Sequence, residues 1–156
     1  MNHPNRTLLA LLCTALLSSA AHAAFTPNAA GDEITDSKTG LIWKRCAEGM
    51  AWSVNTCTGT AATYTHEQAL ARATAQAGSA GWRLPNVREL SSIADKTRSN
   101  PAIDTAAFPA TPSAGFWSAS PYVGYSNYAW VVYFSGGNVG DGDSRNSSGL
   151  LARLVR

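Results

Sequence analysis

Charged side chains make up only 14% of this 156-residue sequence, and 12 Lys and Arg against 10 Asp and Glu leave a formal net charge of +2. So even a balance offers no basic stripe for a nucleic-acid backbone and no pull towards an anionic membrane. Histidine is scarce as well: of the three, only His66 lies beyond residue 22. A metal site built on the cysteines would therefore want for partners. No cofactor is expected, and no Gly-x-Ser-x-Gly nucleophile elbow occurs. Asp95 and Asp104 flank a Ser/Asn/Pro loop with nothing to mark them as an acid–base pair. Beyond the first 23 residues no apolar run is long enough to span a bilayer. Nucleic-acid binding, membrane spanning and hydrolase chemistry all lose their usual signatures.

The first 23 residues stand apart. His3 and Arg6 open a short polar start, Leu8 to Leu17 is mostly apolar, and Ala21-His22-Ala23 supplies a small-x-small cleavage pattern. This reads as a secretory signal cleaved after Ala23, the alternative being a retained anchor. Cys13 lies inside the apolar run, away from any lipidation box. Export leaves Cys46 and Cys57 in an oxidising compartment, where a disulfide is expected and would contribute about 3 kcal/mol.

Residues 24–32 read as a short, loose lead-in to one domain over residues 33–156. Glu33 to Thr35 and Leu41 to Trp43 are strand candidates around an Asp36 to Gly40 turn, forming a hairpin. Cys46 to Ala62 reads as a Gly/Thr-rich loop. Thr65 and Gln68 form a capping box opening a helix to Gly78, with Ala69, Leu70, Ala73 and Ala77 on one face. His66, in its first turn, is expected to be solvated. Asn86 and Glu89 form a second capping box, opening a short helix that buries Leu90, Ile93 and Ala94. Helices in the first half and strands in the second imply an α+β fold.

Residues 115–149 differ in kind, being dominated by Ser, Gly, Tyr, Asn and Asp and holding four of the five tyrosines. Within them Tyr128 to Phe134 alternates as a strand, placing Trp130, Val132 and Phe134 in the core and Val131 and Tyr133 on the other face. Gly136-Gly137 turns the chain, and Leu150 to Val155 reads as a final strand with Leu151, Arg153 and Val155 on one face. Tyrosine offers a large amphipathic area with few torsions to freeze, and Ser, Gly and Asn offer adaptable hydrogen bonds. The candidate ligand contacts are Tyr122, Tyr125, Asn127, Tyr133, Ser135, Asn138, Asp141, Asp143, Arg145 and Asn146. Asp141-Gly142-Asp143 begins like a calcium loop, but Asn146 and Ala152 stand where glycine and a bidentate Glu belong, so a polar turn is expected and no metal.

Thr39-Gly40-Leu41-Ile42-Trp43, the helix around Ala69, Gly81-Trp82-Arg83-Leu84-Pro85 with Glu89-Leu90, Phe116-Trp117-Ser118, Ala129-Trp130-Val131-Val132 and Val155-Arg156 follow one another in order. In this the chain, from about residue 33 to 156, resembles the bacterial domain family named after the C-terminal domain of the collagen-like adhesin Lcl. The resemblance implies an extracytoplasmic, C-type-lectin-like fold with two helices, paired terminal strands and long surface loops. It also implies adhesion and recognition of a glycan, such as a sulfated polysaccharide, or of a protein on a surface. The sequence contains no collagen-like repeat. Formylglycine-generating enzymes share the lectin-like fold but depend on active-site cysteines, so a non-enzymatic module is expected here. Residues 117–156 further resemble the variable region of proteins diversified by a retroelement, which implies a varied surface on a fixed core. A structural or assembly subunit of an envelope apparatus is the alternative, with the same tract as a fixed interface. The Trp82 to Glu89 block reads as structural, Arg83 and Glu89 forming an internal ion pair or backbone clamp.

Overall fold

The computed structural model describes residues 25–78 and 80–156, so the expected signal segment lies outside the described residues. The expected first hairpin is present: β2 (Glu33–Asp36) pairs antiparallel with β3 (Ile42–Lys44). Its turn is set by the buried Asp36 carboxylate, which accepts from the Lys38 N–H at 2.9 Å and the Thr39 hydroxyl at 2.8 Å. Gly40 then takes φ +73°, a conformation glycine adopts without a Cβ penalty. The lead-in is not loose throughout. Phe25–Pro27 forms β1 on the outer side of β2, and the Phe25 ring meets Phe108 edge-on at 5.2 Å. One aromatic contact thus anchors a segment whose small residues suggested no order.

Cys46 and Cys57 are bridged, with Cα atoms 5.4 Å apart. The expected loop between them carries a second hairpin, β4 (Ala51–Ser53) with β5 (Thr56–Thr58). Val54 and Asn55 turn it at φ +46° and +66°. Two successive positive φ values suit the twist of a tight hairpin, though valine rarely adopts one.

Both capping boxes close as the spacing predicts. Thr65 and Gln68 exchange bonds at the start of α1 (His66–Ala77), and Asn86 and Glu89 do so at α2 (Val87–Ser92). Ala69 and Ala73 bury the inner face of α1, but Leu70 is 38% exposed and Ala77 only half-buried. The Arg83 guanidinium grips Glu89 through two bonds of 2.7 Å, raising the affinity of Arg83 for its proton and holding the Glu89 carboxyl below the usual range. The same carboxylate accepts the Asn86 N–H, so one side chain both caps α2 and ties it to the preceding segment.

The third sheet is antiparallel, in the order β6 (Gly115–Pro121), β7 (Tyr128–Tyr133), β8 (Asn138–Ser144). Both of its faces are covered. Phe116, Val132 and Phe134 pack with Leu90, Ile93, Ile103 and Phe108 on one side. Trp117, Ala129 and Val131 pack with Ala69, Ala73, Trp82 and Leu84 on the other. The alternation in 128–134 therefore separates two cores, and Val131 faces α1 instead of solvent.

The final strand is also corrected. Leu150 to Val155 is buried without interruption and makes only isolated bridges, to Tyr64, Phe116, Arg83 and Trp43. Ile42 and Arg156 exchange backbone bonds of 2.9 Å, so β3 and residues 155–156 meet in an isolated bridge, while β1, the first strand, pairs with β2 alone. Arg153 is wholly enclosed, donating to the Lys44 carbonyl at 2.9 Å, to the Arg45 carbonyl and to the Thr111 hydroxyl at 2.7 Å. Burial lowers its pKa to about 9. Two helices with three small antiparallel sheets make the described residues an α+β fold. Among them no helix is long and apolar enough to cross a membrane.

Candidate functional site

The β6–β7 connection, residues 122–127, carries the most exposed aromatic surface. Backbone bonds from the Tyr122 N–H to the Tyr128 carbonyl and from the Tyr128 N–H to the Tyr125 carbonyl fold it back on itself. The Tyr122 and Tyr125 rings stack at 6.1 Å, Tyr125 and Tyr128 lie 5.5 Å apart, and Tyr122 meets Trp130 edge-on at 4.9 Å. Tyr125 is 64% exposed. Two glycines make room for this array. A Cβ on Gly124 would stand 2.6 Å from the Tyr122 ring, and one on Gly142 would stand 3.3 Å from it. The cluster gives a polarisable aromatic surface of which the Tyr125 ring is the open part.

Beside the array lies a cleft of about 330 Å³ between the first turns of α1 and the end of β8. It is lined by His66, Glu67, Leu70, Asn127, Arg145 and Asn146. The two features share a frame: the Arg145 N–H bonds the Asn127 carbonyl at 2.9 Å, and its Nε donates to the Tyr128 carbonyl at 3.2 Å.

His66 is not solvated. It is 3% exposed, packs edge-on against Trp117 at 5.3 Å, and its Nε2 lies 3.0 Å from the Ser118 carbonyl, to which it donates. Burial lowers its pKa, the Ser118 carbonyl opposes that, and the nearby Arg145 charge lowers it further. The helix turn that looked exposed is covered by β6, which the sequence places fifty residues away.

The expected contacts fall into three groups. Tyr122 and Tyr125 belong to the array, and Asn127, Arg145 and Asn146 to the cleft. Ser135 and Asn138 are exposed at the far end of β7, about 20 Å along the strand from Tyr128. Tyr133 is half-buried and serves packing: Cβ atoms on Gly115 or Gly140 would come within 2.8 or 2.7 Å of its ring. Burial, then Asp143 and Asp141, raise its phenol pKa. The Asp143 carboxylate is taken up by its own turn, accepting from the Ser144 N–H and the Ser147 hydroxyl at 2.8 Å, while Asp141 is exposed. Among the described residues no three His, Cys, Asp or Glu side chains gather as a metal site would need. Asp95 and Asp104 border one groove, but Asp95 is held below the usual carboxylate range by its bonds to Thr97, and Asp104 accepts the Ala106 N–H.

Sequence reasoning missed Tyr128, Trp130, Glu67 and Leu70. Tyr128 shares the tyrosine-rich tract and was legible in principle. Trp130 keeps the expected alternation, opposite Ala129 and Val131, but it is only half-buried and meets Tyr122 edge-on instead of closing into the core. Glu67 and Leu70 join the site only through tertiary contact.

A family model described as the Lcl C-terminal domain matches residues 32–156. No curated protein and no solved structure matches the chain.

Proposed function

The chain belongs to the Lcl C-terminal domain family, and on that premise we propose that it is an exported, C-type-lectin-like recognition module. Residues 117–156 present its contact surface to a glycan or protein ligand, and it performs no catalysis. The observation that carries this reading is the cluster of Tyr122, Tyr125 and Tyr128 at the β6–β7 connection, in which Tyr125 stacks on the half-buried Tyr122 and is itself open to solvent. Aromatic rings displayed at the surface, next to a cleft with uncommitted amides, are what a recognition site requires. The disulfide agrees with an oxidising compartment.

The distribution of residues in the tract supports a varied surface on a fixed frame. Asn127, Asn138 and Asn146 are all exposed, while Trp117, Ala129, Val131, Val132, Phe134 and Leu150 to Val155 are buried. Substitution at the asparagines would leave both cores intact. A near-copy of the encoding segment in flanking DNA, differing mainly at adenines and lying beside a reverse transcriptase, is the expected finding for a diversified tract.

The direct test is an array of glycans, sulfated polysaccharides included, and surface proteins, probed with wild type and Tyr125→Ala. Binding is expected to fall at least tenfold in the variant, about 1.4 kcal/mol, with the melting temperature unchanged. Equal binding by the two proteins would refute the assignment and favour an assembly subunit.

A further inference from the structure

We propose that the cleft beside the tyrosine array is a subsite for a zwitterion, a group carrying an ammonium and a carboxylate on one carbon with an apolar tail, as a free α-amino acid does. Its walls carry opposite charges. Glu67 lies on the α1 side and Arg145 on the β8 side, and among the described residues no ion pair joins them. The neighbouring charges elsewhere in the fold are paired: Arg72 is bonded to Glu48 at 2.7 Å and Arg83 to Glu89 at 2.7 Å. Glu67 and Arg145 face one cleft without closing on each other, which leaves both charges available to a ligand.

Arg145 is held in place. Its Nε is fixed to the Tyr128 carbonyl, and its two terminal nitrogens have no hydrogen-bond partner among the described residues. The side chains of Asn127 and Asn146, on the same rim, have none either among the described residues, so amide donors and acceptors are available beside the guanidinium. His66 closes the floor and adds no charge: its lowered pKa follows from burial, and its Nε2 hydrogen is already given to Ser118. Leu70 supplies the remaining wall. Its 38% exposure on a helix whose neighbours Ala69 and Ala73 are buried leaves an apolar patch facing the cleft.

This pairing selects between ligand classes. A simple anion drawn to Arg145 is repelled by Glu67, and a simple cation drawn to Glu67 is repelled by Arg145. A zwitterion satisfies both with charge-assisted bonds of about 2.8 Å. The volume of about 330 Å³ lies at the lower end for small-molecule sites and suits one amino acid with a branched tail rather than an oligosaccharide.

The subsite rests on reading residues 122–146 as a recognition surface, and three ligands with the same tail test it separately. L-leucine, 4-methylpentanoate and 3-methylbutylamine would be titrated into the full chain while amide shifts at Asn127, Arg145 and Asn146 are followed. Leucine is expected to saturate, with each singly charged analogue at least tenfold weaker. Glu67→Gln should weaken leucine tenfold yet improve 4-methylpentanoate, an inversion that a loss of structure would not give. Arg145→Gln should weaken leucine and 4-methylpentanoate together. Equal binding of leucine and 4-methylpentanoate, or no shift at these residues up to about 10 mM leucine, a limit set by a binding energy of about 3 kcal/mol, would overturn the proposal. Tyr125→Ala, which lies outside the cleft, should leave leucine binding unchanged even where it abolishes array binding, so the two readings fail on different readouts.

Discussion

Replacing Trp82 with alanine removes a ring that is 7% exposed and sits among Ala69, Ala73, Leu84 and Trp117. Deleting a buried tryptophan from a core costs about 3–5 kcal/mol, through lost transfer energy and the cavity left behind. Two cations raise the expected loss here. The Lys44 ammonium lies 5.4 Å and the Arg156 guanidinium 5.0 Å from the ring centroid. Each such contact contributes about 0.5–1 kcal/mol at a partly exposed site. The small neighbours Ala69 and Ala73 cannot swell to refill the space, so collapse will recover little. A destabilisation of about 4–5 kcal/mol is expected, a large share of the whole stability of a domain this size. Trp82→Phe keeps a ring at the site and should cost about half as much. Urea unfolding followed by circular dichroism, with the variants compared at constant slope, measures both. A loss below about 1 kcal/mol for Trp82→Ala would refute the reasoning. Trp82 also borders a groove with Trp52 and Met50, so full stability with altered ligand binding would move the residue from core to contact.

Two further outcomes follow from the polar and covalent features. Because the folded state depresses the His66 pKa, the folded and unfolded chains hold the same protons well above about pH 6.5. Below that the unfolded imidazole takes a proton the folded one resists, so stability should fall by up to about 1.4 kcal/mol per pH unit until the folded group also titrates. Glu89 and Asp95, whose pKa values are lowered, contribute in the carboxylate range instead, so the slope between pH 5 and 6.5 reports on His66. His66→Gln should flatten it, and an unchanged slope would show that another group is responsible. Opening the Cys46–Cys57 bridge by the double Cys→Ser variant should cost about 3 kcal/mol, read by urea midpoint. A loss near zero would mean that Arg45, bonded to the Gly31, Ala106 and Ala107 carbonyls, already holds the loop.

The parts of this fold legible in sequence are those governed by neighbours a few residues apart. The two capping boxes need only the i to i+3 spacing of Thr65 with Gln68 and Asn86 with Glu89, and both are present. The Asp36 to Gly40 turn and the Arg83–Glu89 pair are local in the same sense. What escaped depends on distant partners. Phe25 becomes part of a strand because Phe108 awaits it, and Val54-Asn55 turns a hairpin whose second strand the disulfide ties to Cys46. His66 is buried by β6. The candidate site divides in the same way: the composition of residues 122–146 pointed to the surface, but alternation could not tell Tyr133, wedged over two glycines, from Tyr125, open to solvent. The burial of Arg153 could not be read from its own segment, because nothing near it in sequence reveals the carbonyls of Lys44 and Arg45 that accept its hydrogen bonds.

Those carbonyls stand 109 and 108 residues away from Arg153, and the same short segment also meets Tyr64, Arg83 and Phe116. It therefore acts as a keystone, joining β3, Tyr64, Arg83 and β6 through one short stretch. Contacts of such range are slow to form, because the chain must close long loops before they return any energy. Residues 150–155 contribute to both cores, Leu151 and Val155 to one and Leu150, Ala152 and Leu154 to the other. Removing the last few residues should accordingly cost more than any single substitution in the middle of the sheet.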